Sequence, residues 1–195
     1  MANDKLVLHP QDPWAILHDP ALLLEALRSR GLIGGSFGWY GENHYAAGPR
    51  FGELVRFKRF AEPEGRELHI SLSETAEDPA FLGATSTQPP HCPACRGIFS
   101  DWRAQLLAWR REDHRRRWTC ARCGKGVEVH QLDWAHTGGL ARYSLDLWGI
   151  RQSAAIPSAE LLSLLERVTL EEWNYFYHWL DTNPARRVQS RVQPS

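Results

Sequence analysis

A chain of 195 residues, 43% hydrophobic and 24% charged, has enough apolar surface to close a real core and the composition of an ordinary globular protein. Its formal net charge is zero, which excludes a chain-wide field drawing it onto nucleic acid or an anionic membrane; any such attraction must come from a local patch. No run approaches the roughly eighteen apolar residues of a membrane span, and residues 1–5 show no signal-peptide pattern, so a cytoplasmic location is expected.

Residues 4–9 alternate weakly around Leu6 and Leu8 and predict an edge strand. Asp19-Pro20 predicts a helix start, with Asp as N-cap and Pro at the first helical position. Leu22, Leu23, Ala26 and Leu27 form its apolar face, and Gly31 stops it. Residues 31–52 are rich in glycine and aromatics and read as turns and short strands. A phosphate-binding glycine loop would follow a strand and open a helix, and this stretch follows a helix. Residues 51–60 and 67–73 predict two strands, with Glu62-Pro63-Glu64-Gly65 as turn chemistry between them, hence a hairpin. In the second strand Leu68, Ile70 and Leu72 alternate with polar neighbours, which places His69 on a solvated side.

Residues 83–90 (Gly-Ala-Thr-Ser-Thr-Gln-Pro-Pro) read as a linker. It leads to Cys92-Pro93-Ala94-Cys95, and Cys120-Ala121-Arg122-Cys123 follows later; these pairs hold all four cysteines. Each pair can present two thiolates to one metal ion, and two pairs complete a tetrahedral site. Thiolates are soft donors that suit Zn2+, so a structural zinc ion on Cys92, Cys95, Cys120 and Cys123 is expected. Iron takes the same ligands in rubredoxin-type carriers. A redox dithiol is disfavoured, because thioredoxin-type pairs stand alone before a helix. His91 stands beside the first pair but finds the ligand set already full. Pro93 fixes one φ, while Gly97 and Gly124 permit turns whose amide groups point at sulfur.

With these cysteines and this turn chemistry, residues 91–129 resemble the zinc-ribbon and rubredoxin-like class of two-knuckle metal modules. The resemblance implies structural zinc in a binding or scaffolding setting and no one activity. The 24 residues between the pairs exceed the spacing of about 15–20 usual for this pattern. An inserted helix accounts for the excess: Ser100 can cap it, and Phe99, Trp102, Leu106 and Trp109 recur on one face.

The run from Arg110 to Arg117 is the one strongly basic stretch. Residues 101–125 carry eight Lys and Arg against three Asp and Glu. Arg110, Arg111, Arg115, Arg116 and Arg117 are candidate phosphate contacts, with Trp109 and Trp118 available for base stacking. The competing reading is charge compensation: a four-thiolate zinc site is formally −2, and Arg96, Arg122 and Lys125 lie near it. His130, Asp133 and His136 recur at three-residue spacing, which fits no strand face; surface polarity around Trp134 is the plainer reading.

Residues 141–150 predict a strand with Tyr143, Leu145 and Leu147 on one face. Pro157-Ser158 opens a helix carrying Leu161, Leu162, Leu164 and Leu165. Residues 172–180 predict an aromatic strand, giving a β-α-β unit. Residues 183–195 read as a mobile tail.

Together these elements predict an α+β protein: a small antiparallel or mixed sheet, two to three helices, and an inserted four-cysteine module. Its parts would be a body from 1–82 and 131–182, a linker at 83–90, a metal module at 91–130 and a tail at 183–195. The expected function is a bacterial-type cytosolic interaction protein, non-enzymatic, binding a protein partner in an adaptor or immunity-like role. The alternatives are a nucleic-acid binder using the arginine run, and an enzyme with structural zinc.

Overall fold

The computed structural model describes residues 4–38, 41, 43–58, 68–111 and 117–179. The turn expected at 62–65, Arg115, Arg116 and the tail at 183–195 lie outside these residues. The protein is α+β. Its first half runs β1 (Lys5–Pro10), α1 (Pro20–Ser29), β2 (Ile33–Ser36), β3 (His44–Ala47), α2 (Phe51–Leu54), β4 (Val55–Phe57), β5 (His69–Leu72) and β6 (Ala80–Phe81). The second half holds α3 (Trp102–Arg111), β7 (Trp118–Thr119), β8 (Gly126–Val127), a 3-10 turn at Val129–Gln131, β9 (Leu140–Ala141), β10 (Leu145–Trp148), β11 (Ala155–Pro157), α4 (Ala159–Thr169) and β12 (Trp173–His178). No helix among the described residues is long and apolar enough to cross a membrane.

The body is a six-stranded sheet in the order β12-β1-β10-β5-β3-β2, antiparallel at every step. The expected edge strand is therefore wrong for β1, which lies between β10 and β12 with Leu6 opposite both Leu147 and Tyr177. Its alternation is weak because both of its faces are buried. Since β10 and β12 each pair antiparallel with β1, they run parallel to one another. The β-α-β unit is thus real but split by β1.

Both predicted helix starts are made. Asp19 Oδ1 accepts from the Leu22 amide at 2.9 Å, and Ser158 Oγ accepts from the Leu161 amide at 3.2 Å. At the far end of α1, Gly31 takes φ +81°, with Gly31 N–H bonding Arg28 O and Leu32 N–H bonding Leu27 O. This paired closure is the Schellman motif. The helices α1 and α4 pack side by side, and Glu160 receives both Arg30 and Arg50. Leu23, Leu27, Leu161 and Leu165 from these helices meet Leu6, Leu8, Leu145 and Leu147 from the sheet in one core.

Helix α4 ends on Leu170, which holds the left-handed φ of +62° and is 87% exposed. A side chain there strains the backbone and gains no burial. Leu170→Gly is expected to stabilise the protein by about 0.5–1 kcal/mol, read as a higher urea midpoint.

Several strand predictions change. Residues 51–54 are helical, because Leu54 and Glu53 amides close back onto Arg50 O, and only Val55–Phe57 is extended. The hairpin does not form: β4 pairs with β11, and β5 pairs with β3 and β10. His69 is buried, not solvated, at 5% exposure, stacked between Phe37 and Trp148 with centroids at 4.9 and 5.5 Å. The alternation misled because the second face of the sheet is also covered. The predicted strand at 141–150 is two strands, β9 pairing with β6 and β10 joining the main sheet.

A second core stands apart from the first. It gathers Phe99, Trp102, Leu106 and Trp109 with Trp118, Val127, Val129, Leu132, Trp134 and Leu140, and it includes Cys92 and Cys120. The stripe predicted for the inserted helix is thus buried as expected. Asp101, not Ser100, stands at its N-terminus, with Asp101 O accepting from the Gln105 amide at 3.2 Å. Phe81 joins this core from the body side, 4.9 Å from Trp134. The segment expected as a linker is tied down: Thr87 is buried and donates its hydroxyl to Thr137 O at 2.7 Å.

Candidate metal centre

The two cysteine turns are built alike. In the first, Cys92 N–H bonds Gly97 O at 2.8 Å and Arg96 N–H bonds Cys92 O at 2.9 Å. In the second, Cys120 N–H bonds Lys125 O at 2.9 Å and Gly124 N–H bonds Cys120 O at 2.8 Å. The residue after the last cysteine is left-handed in both, Arg96 at φ +61° and Gly124 at φ +72°. Glycine was expected to supply this conformation in both turns; in the first it is Arg96. Gly97 instead leaves room, since a Cβ there would lie 3.3 Å from both Cys95 Sγ and Cys120 Sγ.

Short ladders clamp each turn. His91 pairs with Ile98 across the first, and β7 pairs with β8 across the second. His91 also exchanges both backbone hydrogen bonds with Asp133, at 2.8 and 3.0 Å.

These turns bring the four sulfurs within 4.8 Å of one another. Cys92 Sγ lies 3.8 Å from Cys123 Sγ, and Cys95 Sγ lies 3.6 Å from Cys120 Sγ. A disulfide requires about 2.0 Å, so these are free thiols placed as neighbours. A tetrahedron with metal–sulfur bonds of about 2.3 Å has edges of about 3.8 Å, which the two measured pairs match. Each sulfur of a four-thiolate site comes from a different cysteine, and this arrangement offers one donor from each. The donor set and its spacing fit a tetrahedral metal ion.

The thiols do not ionise equally. Amide hydrogen bonds from Cys123 and Arg122, opposed by burial, bring Cys120 down to about 7. At Cys95 the Gly97 N–H favours the thiolate, but burial and the three neighbouring thiols push it up to about 11. Amides aimed at sulfur are what a bound thiolate needs in its surroundings.

Of the expected compensating cations, Arg122 donates to Cys95 O at 3.1 Å, while Arg96 is engaged with Asp133. Arg110, Arg111 and Arg117 are exposed near the end of α3 and the start of β7, and Arg117 Nε lies 4.0 Å from Glu128. The stacking role considered for Trp109 and Trp118 is overturned, because both rings are buried in the second core. His91 stays outside the sulfur cluster.

His130, Asp133 and His136, which the spacing left as surface polarity, line one cleft together with His9, Gln11, Gln131, Asn174 and Tyr175. His9 is the penultimate residue of β1 and lies more than 120 residues away in sequence, so no local spacing announces it. Its Nδ1 faces Pro10 O at 2.8 Å. Burial pushes the His9 imidazole down to about 4, against the support of that carbonyl. The unfolded imidazole titrates near 6.5, so the folded state binds fewer protons between pH 6.5 and about 4, and stability falls as pH drops through that window. Between pH 7 and pH 5.5 wild type should lose about 1 kcal/mol more than His9→Gln in urea unfolding.

No family model, no curated protein and no solved structure matches this chain.

Proposed function

We propose that Cys92, Cys95, Cys120 and Cys123 hold one structural Zn2+ in a zinc-ribbon-like unit, and that the protein is a cytoplasmic, non-enzymatic interaction protein that binds a protein partner. The sulfur cluster carries the metal half of this reading: four donors from two matched turns, at tetrahedral spacing, with backbone amides directed at sulfur. The ion would cross-link a unit with little regular structure of its own, since β7 and β8 contribute only two residues each.

The partner half rests on two large apolar side chains displayed by the same unit. Ile98 follows the first turn and is 63% exposed; Leu107 lies on the outer face of α3 and is 49% exposed. The nucleic-acid reading retains the exposed Arg110, Arg111 and Arg117 as phosphate contacts but has lost its stacking rings.

Native mass spectrometry and elemental analysis of the purified protein should show one zinc per chain, absent from Cys92→Ser. A folded wild-type protein without metal overturns the proposal. Ile98→Asp with Leu107→Asp should abolish capture of a partner from host lysate while zinc content is unchanged; unchanged capture removes this surface from the reading.

A further inference from the structure

The cleft beside β12 is lined by a set of groups that the metal site does not use. It is lined by His9 with Gly138 and Gly139, by the stretch from His130 to His136, and by Asn174 and Tyr175. His9 is 7% exposed, and a carbonyl can only accept, so the neutral ring carries its proton on Nδ1 towards Pro10 O. The Nε2 lone pair lies beside Gly139, which also lines the cleft, and has no partner among the described residues. Gly139 keeps that edge open, because a Cβ at this position would collide with Nε2.

The stretch from His130 to His136 is strained and held in place. Ala135 and His136 are consecutive left-handed residues, at φ +48° and +55°, and neither is glycine. The Ala135 amide bonds Asp133 Oδ1 at 2.9 Å, Thr137 bonds Trp134 O through both its amide and its hydroxyl, and His136 O accepts from the Tyr177 amide. Strain retained by this many hydrogen bonds is a feature of sites that position a ligand.

The lining also defines what fits. No Lys or Arg lines the cleft, and its one carboxylate, Asp133, is already engaged by Arg96 and the Ala135 amide. No side chain of permanent charge is left unpaired to select an ion, the remaining ionisable groups being the imidazoles of His9, His130 and His136. Asn174 Oδ1 accepts from the Tyr175 amide and Gln131 Oε1 from the Glu128 amide, so both side chains keep their NH2 groups to donate. Gln11 adds a third carboxamide. An acceptor imidazole surrounded by donor amides suits a group that donates and accepts at once, which is the hydroxyl. The volume of about 270 Å³ lies at the low end for ligand sites, room for one ring.

We propose that this cleft binds a small uncharged molecule bearing ring hydroxyls, one of which donates to His9 Nε2. The hydroxyls can belong to a free sugar or to the ribose of a nucleoside.

Imidazole-labelled protein, zinc-loaded, is titrated separately with D-glucose, D-galactose and uridine while the His9 ring resonances are followed by NMR. At least one probe should shift them saturably below about 20 mM, and the arm that does so identifies the source of the hydroxyls. Gln11→Ala, whose side chain is exposed, should weaken that binding by about fivefold, the loss of one hydrogen bond. Gly139→Ala should abolish it with the folded spectrum retained; if that variant does not fold, Gln11→Ala decides. The proposal is overturned if no probe moves His9, if inorganic phosphate moves it in their place, or if Gln11→Ala binds as tightly as wild type.

Discussion

With the proposed zinc on the four cysteines, chelation at neutral pH is expected to melt the second core and leave the six-stranded sheet folded. Structural zinc sites contribute about 10–16 kcal/mol of apparent binding free energy at pH 7, more than a small core of this kind can replace. Cys92 and Cys120 are themselves members of that core, and without the ion four thiols must crowd within 4.8 Å of one another. The sheet has its own core of leucines under α1 and α4, which the cysteines do not enter. Trp102, Trp109, Trp118 and Trp134 all lie in the second core, so tryptophan emission should move sharply to the red on chelation. Amide protection at Leu6, Leu8 and Leu147 should persist. Loss of that protection together with the emission shift would show that the two cores form one cooperative unit.

Among substitutions that leave the four cysteines in place, a large loss is expected for Trp109→Ala. Trp109 is 1% exposed, at the end of the α3 stripe that covers the cysteine turns. Truncation removes its transfer free energy and leaves a cavity the neighbouring rings cannot fill, a cost of about 3–5 kcal/mol. Chemical denaturation under saturating zinc measures it. Trp109→Phe should recover more than half of the loss; a variant as stable as wild type would mean that α3 is not needed to close the metal unit.

Local chemistry was legible in the sequence and non-local geometry was not. The Asp19-Pro20 and Pro157-Ser158 starts, the Gly31 stop and the α3 stripe each depend on residues within one or two helical turns, and each is found. The four cysteines were legible because metal ligation demands particular atoms at short spacing. By contrast, the central place of β1 depends on partners some 140 residues away. Burial of His69 depends on the rings of Phe37 and Trp148, brought beside it from other parts of the chain, which no alternation within one strand can report. The helix at residues 51–54 has a strand-like composition and is set by closure onto Arg50. The cleft was half visible, as His130, Asp133 and His136 at regular spacing, but the residue that gives it a free acceptor sits on β1.

The position of β1 also bears on how the protein is made. As the ribosome releases the chain, β1 emerges well over a hundred residues before the strands that flank it, β10 and β12. Throughout that interval a strand buried on both faces in the finished protein has no neighbour to pair with. Local structure such as α1 and the β2-β3-β5 pairing can form early, whereas β1 cannot take its place. Completion of the sheet waits on α4 and β12, so removing β12 takes away one side of a strand buried on both faces.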